Sequence, residues 1–507
     1  MSEILSHTES VCPDCLARIP AARVLREGDV YLEKTCAQHG SFSTIIWRGQ
    51  VPAFNTWVRP KTPSFPKNPF TEVKLGCPYD CGICPDHQQQ SCCVLLEVTQ
   101  RCDLHCPICF ADAAHGSAPD WSMAQIGAWY ERLLTAGGPF NIQLSGGEPC
   151  VRDDLPEIIR LGRTYGFTFF QLNTNGLRLA RDAAYLQELK DAGLSTVFLQ
   201  FDGTRDEIYR HIRGRALLKQ KMAVIQRCEE LEIGVVLVPT LIPGVNSDDV
   251  GNIIQLALAH MPTVRGVHFQ PISYFGRYEL NGKAQAPANA DRITIPEVIQ
   301  AIESQTNGLL KAAAFCPPGG ENALCSFHAN FVQMPDGSLT ALTRHKVPTP
   351  VVDTIHTPLV DLTLPLMGTA PSLNLDLLIQ TLPQEAGGCC GLPANNEKPV
   401  EAALGAARSR AFVAENWSAA SAHPQTAPAS GPSFGEWDVF LERKRTHTFC
   451  VSGMAFQDAW TLDLERLRDC YIHTASPDGR LVPFCAYNLT DSQGRSLYRR
   501  ADESLSA

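Results

Sequence analysis

From residue 94 to about 290 the chain alternates between two hydrophobic rhythms. Short apolar runs of strand length, such as Val94-Leu95-Leu96-Glu97-Val98, give way to longer stretches with helical spacing, such as Trp121 to Ala136. The pair recurs with Phe140 to Leu144 and the helix Asp154 to Tyr165, then with Phe167 to Leu172 and Arg181 to Ala192. Val197 to Phe201 precedes Leu217 to Glu232, Gly234 to Val238 precedes Ser247 to His260, and Val267 to Gln270 closes the series. Six β/α units in a row predict an α/β fold, a parallel sheet curled as an open or closed barrel. Sites in such folds lie at the C-terminal ends of the strands.

Outside that stretch the rhythm breaks. Residues 1–55 read as a small Cys/Gly module with two short strand candidates, Val30 to Leu32 and Phe42 to Trp47. A Pro-rich connector, Pro60 to Pro69, opens a cysteine-dense segment, 56–93, ahead of the barrel at 94–290. Residues 291–417 are less regular, and 418–433 (SAASAHPQTAPASGPS) have the composition of a flexible linker. The last block, 434–507, is compact. It holds a hairpin running from Tyr471-Ile472-His473 to Leu481-Val482-Pro483-Phe484 through Pro477-Asp478-Gly479, as expected of a cysteine-rich α+β extension.

Composition narrows the function. The 44% hydrophobic content of the 507 residues is that of a globular protein, and a net charge of -10 argues against a nucleic-acid partner. No run approaches the ~18 consecutive apolar residues of a membrane span. Met1-Ser2-Glu3 opens no basic-then-apolar leader, so a cytoplasmic location is expected. In a reducing compartment, 20 cysteines at short fixed spacings point to metal sites rather than disulfides.

Cys102-x3-Cys106-x2-Cys109-Phe110 directly follows the first barrel strand. Three thiolates at this spacing can hold three irons of a cubane and leave the fourth open, the feature that separates a reactive metal site from a closed one. One β/α unit later stands Ser145-Gly146-Gly147-Glu148-Pro149. Its glycines allow close backbone approach to a ligand, and Glu148 can fix an ammonium group. A tight β/α turn is the plainer reading of the glycines alone.

Thr99-x2-Cys102-Asp103-Leu104-x-Cys106-x2-Cys109-Phe110 followed by Gly146-Gly147-Glu148-Pro149 resembles the radical S-adenosylmethionine (SAM) superfamily. The resemblance implies a partial (β/α)6 TIM-like barrel with SAM bound to the open iron of a [4Fe-4S] cluster. It also implies cleavage of SAM to methionine and a 5′-deoxyadenosyl radical, with Cys102, Cys106 and Cys109 at the catalytic cluster. By the same pattern Phe110, Gly146, Gly147 and Glu148 contact the cofactor. Asn175, Asp202 and Gln270, at later strand ends, would lie near SAM or substrate; capping or turn roles are the alternative for each.

The same spacing occurs earlier, in Cys77-x3-Cys81-x2-Cys84. With Cys92 as a fourth ligand, or Cys93 in its place, this reads as an auxiliary [4Fe-4S] cluster, with structural zinc as the rival. Cys12-x2-Cys15 and Cys36-x2-His39 have the spacing of a zinc ribbon or a rubredoxin-like mononuclear iron site. Cys316, Cys325, Cys470 and Cys485 are grouped as a second auxiliary cluster. Cys150, Cys228 and Cys450 are read as buried apolar thiols. Cys389-Cys390, in a Gly-rich loop, reads as a reactive or metal-capturing pair.

The whole-chain arrangement, with GCPYDCGICPDH, FQPxxxxGR and the final DLERLRDCYIH…DGRLVPFCAYN block, is similar to one branch of the superfamily. That branch includes archaeal tetraether lipid synthase and relatives once described as pterin-methylating enzymes. The insert at 385–433 resembles instead a transporter-associated radical SAM (seleno)protein group. The likeness implies hydrogen abstraction from an unactivated C–H bond, with auxiliary clusters assisting C–C, C–S or methyl-group chemistry. The expected partners are a small-molecule, lipid or peptide substrate and an electron donor such as ferredoxin or flavodoxin. Peptide or thiol modification, or a non-catalytic iron–sulfur carrier or redox sensor, are the alternatives.

Overall fold

A computed structural model describes residues 2–59, 63–113, 119–278, 286–344, 410, 413–414, 416–418 and 436–499. Cys389-Cys390 and nearly all of the 418–433 linker lie outside the described residues.

The alternating rhythm becomes six parallel strands in sequence order: β5 (Cys93–Thr99), β6 (Asn141–Gly146), β7 (Phe170–Thr174), β8 (Thr196–Gln200), β9 (Gly234–Val238) and β11 (Val264–Pro271), the last also paired with the two-residue β10 (Thr240–Leu241). Helices α1 (Met123–Thr135), α2 (Leu155–Thr164), α3 (Leu177–Arg181), α4 (Ala183–Ala192), α5 (Asp206–Arg213), α6 (Leu218–Glu230) and α7 (Val250–Ala259) fill the crossovers. Val94, Leu96, Ile142, Leu144, Leu172, Val197, Leu199, Val235 and Leu237 are shut from water in the main core, together with helix residues such as Leu133, Ile158 and Ile254. The short helix α5 is absent from the sequence reading because Asp206-Glu207-Ile208-Tyr209-Arg210-His211-Ile212-Arg213 is mostly polar. Its apolar residues Ile208, Tyr209 and Ile212 nevertheless lie on one buried face.

The sheet does not stop at six. β14 (Thr448–Met454) pairs in parallel with β11, and β15 (Ile472–Ala475) pairs in parallel with β5, so the C-terminal block supplies a strand to each edge of the barrel. Beyond them β12 (Ser326–Gln333) and β13 (Leu339–Ala341) continue antiparallel on one side, and β16 (Leu481–Pro483) on the other. The β15–β16 pairing is the hairpin expected from sequence, with His473 opposite Pro483. The break at 434 is therefore a change of composition, not a boundary of the sheet.

Residues 2–47 form an antiparallel four-stranded sheet, β1 (Ser2–Val11), β2 (Arg18–Arg26), β3 (Asp29–Cys36) and β4 (Gly40–Trp47). Sequence marked only β3 and β4; β1, Ser-Glu-Ile-Leu-Ser-His-Thr-Glu-Ser-Val, is mostly solvent-facing and lacks a clean alternation. This sheet docks on the C-terminal block through Arg23, whose Nε donates to Asp463 at 3.0 Å, and through Lys34, whose Nζ donates to the Ala459 carbonyl at 2.7 Å.

Candidate active site and metal centres

β5 ends at Thr99, and the loop after it carries Cys102, Cys106 and Cys109 into the wall of a cavity of about 250 Å³. Phe110, Gly146, Gly147, Glu148, Asn175 and Gln270 line the same cavity. The two sequence motifs are joined by backbone: Gly147 N–H donates to the Thr99 carbonyl at 2.9 Å and Glu148 N–H to the Arg101 carbonyl at 2.8 Å. A Cβ on Gly146 would collide with the Thr99 oxygen, and one on Gly147 with the Arg101 oxygen. The glycines are thus required by the contact between β6 and the cysteine loop, a reason internal to the protein.

Glu148 is held by donors on all sides. Its carboxylate accepts from Cys150 N–H at 3.0 Å, from the Thr174 hydroxyl at 2.7 Å and from Asn175 N–H at 2.6 Å; burial raises its pKa against these bonds. The Asn175 side chain donates to Asp103 at 2.7 Å, tying the end of β7 to the cysteine loop.

Asp202 is fully buried and does not line the cavity. It grips Arg213 with bonds of 2.7 and 2.8 Å, and Arg213 lines the cavity in its place. Asp202, expected near SAM or substrate or in a capping or turn role, thus stands behind the wall at the end of β8, and α5 brings the Arg213 guanidinium to the front.

Burial and one fixed cation set the electrostatics of the cysteine loop. Burial pushes the Cys102 thiol up to about 12 and also raises Cys106, where the Arg213 charge opposes the effect. For Arg213, burial is outweighed by Asp202, with Cys106 and Cys109 adding to the pull, so its pKa is raised. Behind them, burial lowers Lys221 to about 8 while its Nζ donates to the Asn175 carbonyl at 2.5 Å. Burial thus disfavours free thiolates at Cys102 and Cys106, and the Arg213 guanidinium offsets part of that cost at Cys106.

Arg277 fixes the loop from the opposite side. Its backbone pairs with Cys109 at 2.8 and 2.9 Å, and its Nε donates to the Cys106 carbonyl at 2.9 Å. The Gly276-Arg277 of FQPxxxxGR served in the sequence only as a family mark; an invariably charged guanidinium after a loop glycine just beyond β11 was the one local sign of this role. Arg213 gave less warning, sitting inside the unmarked helix α5. Phe110 packs its ring 5.5 Å from that of Phe484, with the Arg499 guanidinium 6.0 Å from its centroid.

In the N-terminal sheet Cys12, Cys15, Cys36 and His39 bring one ligand atom each to within 4.8 Å of one another, room for a single tetrahedral ion. Backbone N–H of Gln38 and the His39 ring pull Cys36 down to about 6, which favours the thiolate a metal needs, whereas burial holds Cys12 up at about 11.

The remaining cysteines assemble differently from expectation. Cys77, Cys81 and Cys84 line one small cavity with Asp86 and His87. Cys92 and Cys93 are not there: both line the large barrel cavity, and Cys92 packs against Tyr471 and Ile472. Pairing of Cys93 with Asn141 on one side and Ile472 on the other holds this end of β5 at the far rim of the barrel. Cys325, Cys470 and Cys485 share a third cavity with Glu321 and Arg466, but Cys316 is not in its lining. Its backbone is bridged to His328 at the start of β12, by bonds of 2.9 and 3.0 Å, and its side chain lies by Arg59. Cys150, Cys228 and Cys450 are buried, as read from sequence.

Comparison with known proteins gives two family matches, the Radical SAM superfamily over residues 96–257 and the HMPTM N-terminal zinc ribbon domain over residues 4–48. The chain is 34% identical to a 7,8-dihydro-6-hydroxymethylpterin dimethyltransferase of Methanocaldococcus jannaschii, over 96% of this chain and 94% of that protein. It is 28% identical to a GTP 3′,8-cyclase of Listeria monocytogenes over 36% of this chain, spanning 55% of the cyclase. Among the described residues no helix is long and apolar enough to cross a membrane.

Proposed function

The chain belongs to the radical SAM superfamily and is a radical SAM enzyme, and from that membership we propose that Cys102, Cys106 and Cys109 hold the [4Fe-4S] cluster at which SAM binds. When bound, the cluster and SAM supply a 5′-deoxyadenosyl radical able to take hydrogen from an unactivated C–H bond. The single observation that carries the assignment is the placing of three thiols, one short of saturating a cubane, on the wall of the barrel cavity beside Gly146, Gly147 and Glu148.

The chain's own residues do the positioning. Gly146 and Gly147 let β6 lie on the cysteine loop, Arg277 pins the loop's outer turn, and Asn175 ties it to β7 through Asp103. Glu148, oriented by its three donors, is placed to accept from the ammonium of SAM. Arg213, oriented by Asp202, balances the thiolate charge, and the apolar rings of Phe110, Phe275, Phe456 and Phe484 keep water from the reacting atoms.

Cys77, Cys81 and Cys84, and separately Cys325, Cys470 and Cys485, are proposed to carry auxiliary clusters that assist carbon–carbon, carbon–sulfur or methyl-group chemistry, with electrons from a ferredoxin- or flavodoxin-like donor. Alkylation of a small substrate is favoured over peptide modification by the near full-length similarity to a protein named as a pterin dimethyltransferase. The test is anaerobic reconstitution with iron and sulfide, then dithionite and SAM. Formation of 5′-deoxyadenosine supports the reading, and a reduced, intact wild-type cluster that forms none refutes it. Three cubanes and one ribbon iron predict about 13 irons per chain, against about 4 for one cubane alone.

A further inference from the structure

Amide side chains recur among the strand residues that line the barrel cavity. Strand alternation turns Asn141 and Gln143 of β6, Gln171 and Asn173 of β7, Gln200 of β8 and Gln270 of β11 toward the lumen. Three of them join head to tail: Gln171 Nε2 donates to Asn173 Oδ1 at 2.7 Å, Asn173 Nδ2 to Gln143 Oε1 at 3.4 Å, and Gln143 Nε2 to Cys93 Sγ at 3.3 Å. Each amide nitrogen gives a bond along the row, so the row ends on an acceptor, Gln171 Oε1. That oxygen and Gln200 Oε1 are both buried without a hydrogen-bond partner. A buried oxygen left unpaired costs about 1–3 kcal/mol, a cost that an N–H donor of a bound molecule would remove at each of the two.

Charge and shape limit that molecule. Among the described lining residues Arg213 is the only Lys or Arg, and Asp202 already holds it. No free cation is therefore offered to a phosphate or carboxylate at the amide end. Flat rings stand beside the acceptors: Phe198 and Trp417 stack with centroids 5.5 Å apart and planes at 25°, and the His268 ring lies 5.4 Å from Phe198 with its Nδ1 bonded to Ser452.

We infer that the amide row is the specificity element of the substrate chamber, and that Gln171 and Gln200 accept from a neutral, planar group with adjacent N–H donors, such as a lactam or amino-substituted heterocycle. The inference rests on the cavity being the substrate chamber of a radical SAM enzyme and adds the chemistry of what enters it. An acyl chain would leave both oxygens unpaired, and an anion would face acceptors with no counter-charge.

The test uses the full chain, reconstituted and with SAM present, in equilibrium dialysis against three probes: 6-hydroxymethylpterin, N-acetylglycinamide and stearate. The pterin binds the wild type, and Gln171→Met and Gln200→Met each weaken it about tenfold or more, the equivalent of one lost hydrogen bond of about 1.4 kcal/mol. Gln171→Glu, which keeps acceptor oxygens, binds it better than Gln171→Met; iron content and melting temperature certify each variant as folded. Binding of the glycinamide instead keeps the donor class and moves its source to a carboxamide. Equal pterin binding by wild type and both Met variants, stearate as the sole ligand, or no ligand at all, overturns the inference. Absence of 5′-deoxyadenosine with pterin binding intact would instead count against the radical assignment and leave the recognition site standing.

Discussion

Two loops in this chain have the same spelling, CxxxCxxC, and different surroundings. The loop at Cys102 leaves the C-terminal end of a barrel strand, is gripped by Gly147, Asn175 and Arg277, and opens on about 250 Å³ of cavity. The loop at Cys77 precedes the barrel. It is shaped by Asp80, whose carboxylate accepts the N–H groups of Lys74, Leu75 and Gly76 at 2.6 Å each, and is closed over by Tyr498, whose hydroxyl accepts from Cys81 N–H at 3.1 Å. The space beside its thiols is only about 10 Å³. Spacing thus determines which metal core a loop can hold, and the surroundings determine whether anything else can reach it.

The sharpest way to break this comparison is to remove one thiol from each loop. Cys106→Ala is expected to abolish 5′-deoxyadenosine formation, whereas Cys81→Ala still forms it while losing about 4 irons per chain by elemental analysis. Equal silence of the two variants would erase the distinction. Next in size is Asp202→Asn, which leaves the buried Arg213 without its carboxylate; a loss of about 3–5 kcal/mol is expected in denaturant melts. Gly147→Ala should cost about 1–3 kcal/mol through the clash with the Arg101 carbonyl, and lower cluster occupancy in the absorbance spectrum. The smallest effect belongs to the other loop. Asp80→Asn, at a more solvated site, should cost about 1 kcal/mol and leave the absorbance of the SAM cluster unchanged.

The barrel was legible because its strands are continuous apolar runs and its helices amphipathic, and both periods survive in sequence. The spacing of the Cys102 loop was legible because thiol spacing is a local property. What escaped was non-local. The fourth position assigned to Cys92 assumed that a nearby cysteine in sequence is near in space, and β-pairing carries it to the opposite rim. Grouping Cys316 with Cys325 failed for the same reason, since its bridge to His328 turns it away. Arg213 escaped because helix α5 has too little apolar content to announce itself, and the lumen amides other than Gln270 were hidden inside strands read only for their hydrophobic face.

The two strands that β14 and β15 add to the barrel also set an order of assembly. A ribosome making this chain releases β5 and β11 long before the residues that cover their outer edges exist, so both edges stand open until residues 448–475 emerge. The cavity that Cys325 lines likewise lacks Cys470 and Cys485 until the end of the chain emerges. The barrel is closed last by the end of the chain, and a C-terminally truncated product would carry two adhesive edges and an unfinished set of thiols.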